Sequence, residues 1–227
     1  MAKYIEEMVS RQVRRSEIAR QKAVENGEAH PGPVVTISRR MGSGARIVAE
    51  KLAADLGWSL WDREVLDAMA ENADVSKRVV ESFDEKAMSE FEVFARSVMG
   101  DHELGGFMYM RHLARAAAAI AKLGNAIILG RGANFLLPDA LNIRIDAGDK
   151  RRIENMVTYE KLTPKEAGLK IVESDRERWE FLVRAFGKER VETCHYDLTI
   201  CMDHFSPADA VEIIKSAINV RFGPVPG

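Results

Sequence analysis

Cysteine is nearly absent. Cys194 and Cys201 are the only two in 227 residues, and neither sits in a C-x-x-C or zinc-ligand spacing. A zinc ribbon or finger is therefore excluded, and two reduced, mostly buried thiols are expected rather than a disulfide. No apolar stretch approaches the ~20 residues that a spanning helix requires. The N-terminal stretch is charged and has no apolar signal region, which points to a cytoplasmic protein rather than a secreted one. Positive charge is not in excess: the formal net charge is −2. That argues against nucleic acid or an anionic membrane as partner, so any phosphate chemistry must rest on local basic clusters. The five histidines form no H-E-x-x-H and receive no catalytic role, and the absence of G-x-S-x-G leaves a serine hydrolase unsupported.

What is present is the makeup of an ordinary globular chain, 46% hydrophobic and 30% charged. Its length suits one large domain or a domain with inserted helices. Residues 1–26 read as a helix with Ile5, Met8, Val9 and Val13 on one stripe, and His30-Pro31-Gly32-Pro33 separates it from the first strand. That appendage is expected to pack on its own domain, slightly ahead of a second subunit. Strands are expected at Val34–Ser38, Trp58–Trp61, Ala126–Leu129, Leu141–Ile145 and within Asp197–Met202. Helices fall between them: to about Leu56 with Gly57 as C-cap, over Asp62–Ala73, across residues 75–99, over Phe107–Leu123 and over Asp149–Lys161. Two more open on capping boxes with proline at the first turn. The one at Thr163-Pro164-Lys165-Glu166 runs to about Phe186 with a break near Ser174, and the other starts at Ser206-Pro207-Ala208-Asp209. Strands alternating with helices imply an α/β fold: a five-stranded parallel sheet with helices on both faces, and ligands at the carboxyl ends of the strands.

Three segments at those ends carry chemistry. Residues 34–62 read VVTIS-RRMGSGAR-IVAEKLAADLGWSLWD, a strand entering a glycine turn and a helix leaving it. Gly42 and Gly44 would let the backbone curl onto a phosphate at the helix N-terminus. Against G-x-x-x-x-G-K-[ST], Ala45 stands at the lysine, Arg46 or Ile47 near the hydroxyl residue, and Arg39 at the first glycine. A phosphate loop and a ligand-free turn stand as even alternatives. Arg131, between Gly130 and Gly132 after a buried strand, is the strongest candidate for a phosphate fork, with a salt bridge to a nearby carboxylate as the alternative. Arg39, Arg40 and Arg46 surround the glycine loop, where surface solvation competes with function. Arg176, Arg178, Arg184 and Lys188 lie on a helical stretch that could close over a polyphosphate as a lid or simply face solvent. Asp62 reads first as a helix N-cap and second as a substrate ligand.

Together these residues resemble the cytidylate kinases, and more closely the cytidylate kinase-like family, over about residues 34–218. The loop Ile37-Ser38-Arg39-Arg40-Met41-Gly42-Ser43-Gly44-Ala45-Arg46 is similar to the family's I-S-R-x-x-G-S-G-G-R. Gly130-Arg131-Gly132 with Pro138-Asp139-Ala140 resembles the G-R-D and P-D-A segments, and Tyr196-Asp197-Leu198 also fits. The resemblance implies a P-loop kinase-like domain over 31–222, following the appendage at 1–30. A helical insertion would span 75–123 and a lid about 163–190. It implies transfer of the γ-phosphoryl group of ATP to a nucleoside monophosphate, CMP or dCMP, with Mg²⁺. Arg40, Met41, Gly42, Ser43, Gly44, Ala45 and Arg46 would hold the ATP phosphates. Asp62, Arg63 and Arg131 would hold the acceptor. Arg46, Arg131 and Arg178 would be catalytic, and Arg176, Arg178 and Arg184 would close the lid. Metal ligands are not assigned, nucleotides are the implied partners, and a homodimer is compatible with the N-terminal helix. The chain departs from cytidylate kinases at Ala45 (lysine there), Ile47 (a hydroxyl residue), Gly132 (aspartate), Ala68 (an acceptor-site arginine) and Arg63-Glu64-Val65 (S-G-A). Losing one preorganised phosphate contact typically costs ~2–4 kcal/mol. The alternatives are therefore a nucleotide-binding regulator of weak or no turnover, or a kinase for a different small acceptor.

Overall fold

The computed structural model describes residues 7, 9–14, 18, 21, 32–71, 89, 90, 93 and 107–224. The expected helices over 75–99, apart from residues 89, 90 and 93, lie outside these.

Five strands form one sheet: β1 (Val34–Arg39), β2 (Ser59–Trp61), β3 (Ala126–Leu129), β4 (Leu141–Asp146) and β5 (Leu198–Cys201). Their order is β2-β3-β1-β4-β5 and every pairing is parallel. The step from β1 to β2 runs to one side of β1, and the step from β3 to β4 crosses to the other. Such a reversal opens a crevice at the carboxyl edge. Since β1 is the middle strand, its last residue, Arg39, lies at the centre of that edge.

The helices are α1 (Ala45–Leu56), α2 (Arg63–Glu71), α3 (Phe107–Leu123), α4 (Ala133–Leu136), α5 (Asp149–Glu160), α6 (Pro164–Phe186), α7 (Lys188–Glu192) and α8 (Pro207–Phe222). Both expected capping boxes are made, Thr163 with Glu166 and Ser206 with Asp209. Gly57 ends α1 in the left-handed region. The break expected near Ser174 does not occur: α6 runs unbroken over 23 residues. Its i→i−4 ladder passes through Ser174 because neither proline nor glycine interrupts it there. The short helices α4 and α7 were not expected, being too brief to show a period.

The sheet separates two apolar clusters. Val35, Ile37, Leu141, Ile143 and Ile145 pack with α1 and α8 on one face. Val34, Ala126 and Ile128 pack with α2 and α3 on the other. The alanine run of α3 supports that contact, since Ala116, Ala117 and Ala119 are buried. Residues 9–14 are helical, and Val9 and Val13 are buried in this second cluster. Gln12 Oε1 accepts from the backbone N–H of Leu60 on edge strand β2, at 3.0 Å, so this segment covers an otherwise open sheet edge. Neither cysteine is fully buried, against expectation: Cys194 is half-buried and Cys201 exposed, and both are free. Cys201 points out of β5, whose pattern buries only Ile200. Among the described residues no helix is long and apolar enough to cross a membrane.

Candidate active site

Strands β1 and β4 are two-faced. Beside the apolar set already named, the alternate residues Thr36, Ser38, Asn142, Arg144 and Asp146 point to the opposite face, where Ser38 and Arg144 line a cavity together with residues of α6. Thr36 Oγ1 donates to Asn142 Oδ1 at 2.5 Å, and the Asn142 amide donates to the carbonyls of Leu137, Pro138 and Ala140. Toward the carboxyl edge this polar floor opens into a cavity of about 380 Å³. Its walls carry six arginines, Arg39, Arg40, Arg63, Arg131, Arg144 and Arg178, against two carboxylates, Asp175 and Glu177.

The glycine loop is held from below by α5. Arg152 is completely buried. Its Nε donates to the Met41 carbonyl at 2.7 Å, Nη1 to Asp149 at 2.9 Å and Nη2 to Asp175 at 2.7 Å. Asn155 Nδ2 donates to the Gly42 carbonyl at 2.8 Å. Gly42 permits this contact: a Cβ there would lie 2.7 Å from the Arg152 carbonyl oxygen, and its φ is +78°. Gly44 caps α1, and Val48 N–H is the first to bond within the helix, to Gly44 O at 3.2 Å. The three N–H groups before it have no intrahelical acceptor, as at any helix start. Ala45 is buried in the apolar cluster of α1. Ser43 is also buried, and its hydroxyl has no hydrogen-bond partner among the described residues.

Carboxylates already occupy several arginines. Arg40 donates through Nε and Nη2 to Asp175 Oδ2, both at 3.2 Å, and reaches Asp149 at 3.3 Å. Arg144 is paired with Asp146 at 2.9 Å and lies over the Tyr196 ring. Arg131 makes a two-pronged pair with Asp67 through Nε and Nη2 and stacks on Phe181. The Tyr109 hydroxyl donates to Asp67 at 2.6 Å. Burial, then this bond to Asp67, pushes the Tyr109 hydroxyl well above its ordinary range. Arg39 and Arg178 differ. Arg39 donates to the Leu129 carbonyl at 3.4 Å, and among the described residues no carboxylate lies within ion-pair distance of it. Burial, then the neighbouring charges of Arg178 and Arg63, lower its pKa to about 10. Arg178 is lowered chiefly by burial. It approaches Asp175 Oδ1 at 3.7 Å, and its Nη1 has no hydrogen-bond partner among the described residues.

The profile of the cytidylate kinase-like family matches residues 34–204. The chain belongs to that family. Cytidylate kinases of two archaea are similar to it. That of Pyrococcus horikoshii is 28% identical over 188 residues, 82% of this chain and 88% of that protein. That of Pyrococcus furiosus is 27% identical over the same shares. A crystal structure of an uncharacterized protein from Eubacterium ventriosum superposes with a TM-score of 0.53 at 20% identity, over 82% of this chain and 98% of that one. At that identity the likeness shows the fold.

Of the positions marked by resemblance to the family, Arg40, Arg63, Arg131 and Arg178 line one cavity. Others lie elsewhere. Arg46 is largely exposed, with Nε on Glu50 at 3.0 Å and Nη2 on Asp62 at 3.2 Å. Asp62 caps α2 through Val65 N–H at 3.2 Å. Arg176 faces solvent near Glu180, and Arg184 is exposed on α6. The glycine at 132, where cytidylate kinases have aspartate, leaves room for Phe186: a Cβ there would fall 2.3 Å from that ring. Sequence reading missed Arg144, Arg152, Asp67, Asp175 and Tyr109. Arg144 alone left a trace, as a charge alternating with the apolar Leu141, Ile143 and Ile145 of the strand LNIRID.

Proposed function

We propose that this protein transfers the γ-phosphoryl group of ATP to a nucleoside monophosphate, with CMP or dCMP as the acceptor. The observation that carries this reading is the set of six arginines around one cavity at the carboxyl edge of the sheet. Phosphoryl transfer needs alignment and charge neutralisation more than covalent chemistry, and guanidinium groups supply both. The N–H groups opening α1 and the loop Met41–Arg46 face the donor phosphates. Arg40 holds the same side. Arg131 and Arg63, at the ends of β3 and β2, hold the acceptor phosphate, with Asp67 orienting Arg131 until the acceptor takes its place. Arg178 reaches in from α6, which also screens the transferring group from water. Mg²⁺, when bound, would offset negative charge on the phosphates. Here Ile47 replaces a hydroxyl ligand, and among the described residues no cluster of three metal-ligating side chains exists. Phosphate oxygens and water would then make up most of its coordination, which suits this ion.

A second reading has its own support. Ala45 is buried in the apolar cluster, so the loop offers no lysine, and Arg131 is already paired with Asp67. A nucleotide-binding regulator without turnover fits both facts. The test is a panel of nucleoside monophosphates with ATP and Mg²⁺, read as ADP formed. ADP appearing only with CMP or dCMP supports the kinase. ATP binding with no ADP from any monophosphate supports the regulator.

A further inference from the structure

The lysine missing from the glycine loop leaves a charge to be replaced, and the neighbour in sequence, Arg46, is spent on Glu50 and Asp62 outside the cavity. We infer that Arg39 and Arg178, with Arg63 reaching across from the acceptor phosphate, form the anion site that receives the transferring phosphate, so that the replacing cation comes from the end of β1. This deepens the phosphotransferase reading and rests on it.

Three observations carry the inference. First, the cations of this cavity divide into compensated and uncompensated ones. Arg131, Arg144 and Arg40 each hold a carboxylate within 3.3 Å. Among the described residues Arg39 holds only a backbone carbonyl, and Arg178 has only the long approach to Asp175. Arg63 is loosely tied to Asp67 at 3.5 Å and half-exposed. Second, the position of Arg39 is built rather than incidental. It ends the central strand, and Gly130 has no side chain where a Cβ would sit 1.9 Å from Arg39 Nη1. A side chain at 130 would force the guanidinium to shift, and the φ of +91° there suits glycine. Third, burying like charges together is unfavourable unless an anion joins them. The crowding is real, since Arg178 and Arg63 both make the Arg39 proton easier to lose. A buried donor of Arg178 is left over as well. A dianionic or more highly charged phosphate is the ligand chemistry that satisfies all three.

In the step itself the bond between the γ-phosphorus and the β,γ-bridging oxygen breaks, its electron pair staying on ADP. A bond forms from an acceptor phosphate oxygen to the same phosphorus. Arg39 moves no proton; it offsets charge on the oxygens in flight.

Inorganic tripolyphosphate is the probe, measured by calorimetry against the wild-type chain, Arg39→Gln, Arg63→Gln, Arg46→Ala and, as a surface control, Arg151→Gln. Glutamine at 39 removes the charge while keeping a polar amide. Arg39→Gln is expected to weaken binding at least tenfold and to lower turnover about 100-fold. Arg63→Gln should weaken binding several-fold, with Arg46→Ala and Arg151→Gln within twofold of wild type. Binding within twofold in Arg39→Gln, or a tenfold loss in Arg46→Ala instead, overturns the inference, as does a wild-type chain that does not bind the probe. If thermal melting shows Arg39→Gln unfolded, Arg63→Gln decides by the same criterion, because its side chain is exposed enough for the fold not to depend on it. Tripolyphosphate binding lost in Arg39→Gln, with no ADP from any monophosphate, would uphold the anion site and refute the kinase reading. CMP turnover surviving Arg39→Gln would refute the site alone.

Discussion

The two faces of strands β1 and β4 are made by alternate residues of the same short segments, yet they do opposite work. Under α1 and α8 lie Val35, Ile37, Leu141, Ile143 and Ile145, all buried. On the other face lie Thr36, Ser38, Asn142, Arg144 and Asp146, hydrogen-bonded or ion-paired. A period of two lets one strand serve both faces, with stability drawn from the first and a charged cavity floor supplied by the second. Strand β3, between β1 and β2, has no such division: all four of its residues are apolar and buried. Its chemistry begins only past its end, at Gly130-Arg131-Gly132.

Substitutions on each face should separate fold from function. The largest effect is expected where the two meet, at Arg152. Truncating it to alanine takes the partner from the Met41 carbonyl and from the part-buried Asp175 beneath the glycine loop, a loss of about 4 kcal/mol that urea denaturation would register, with ATP binding lost as well. On the apolar face, Ile143→Ala should cost about 3 kcal/mol by the same measurement while leaving the KM values of the folded fraction near wild type. On the polar face the pattern should invert. Arg131→Ala is expected to lower kcat/KM for the monophosphate about 100-fold, roughly 2.7 kcal/mol, with the urea midpoint moved less than by Ile143→Ala. If Arg131→Ala unfolds the chain and leaves the kinetics of the remainder unchanged, its pair with Asp67 is purely structural. The smallest effect is the cap: Thr163→Ala removes one half of the box that starts α6 and should cost about 1 kcal/mol. Thermal melting would show the loss, and turnover at 25 °C should hardly change.

Much of the fold was legible because local rules act over a few residues. The strand Ala126–Leu129, the helix Phe107–Leu123 and both capping boxes fall where the sequence placed them. The site was legible only in part. Arg63 and Arg131 sit beside glycines or at strand ends, positions that draw notice in a parallel sheet. Arg152 sits in the charged stretch DKRRIEN, where a solvated helix face is the natural expectation. Only the docking of α5 beneath the glycine loop buries it. Asp67 and Tyr109 come from α2 and α3, 42 residues apart in sequence, and no spacing rule joins them to Arg131. Arg46 was favoured by proximity to the missing lysine, but one residue along a helix turns a side chain by about 100°. Its guanidinium lies against Asp62 and Glu50.

The most direct measurement is a crystal structure with CMP and a non-hydrolysable ATP analogue bound together. Phosphate oxygens should lie within hydrogen-bond distance of Arg39, Arg131 and Arg178, on the polar face beneath α6, with Asp67 released from Arg131 by the acceptor phosphate. Phosphates found outside this cavity, or both nucleotides bound with Asp67 still holding Arg131 and Arg39 untouched, would contradict the assignment of phosphotransfer to this site.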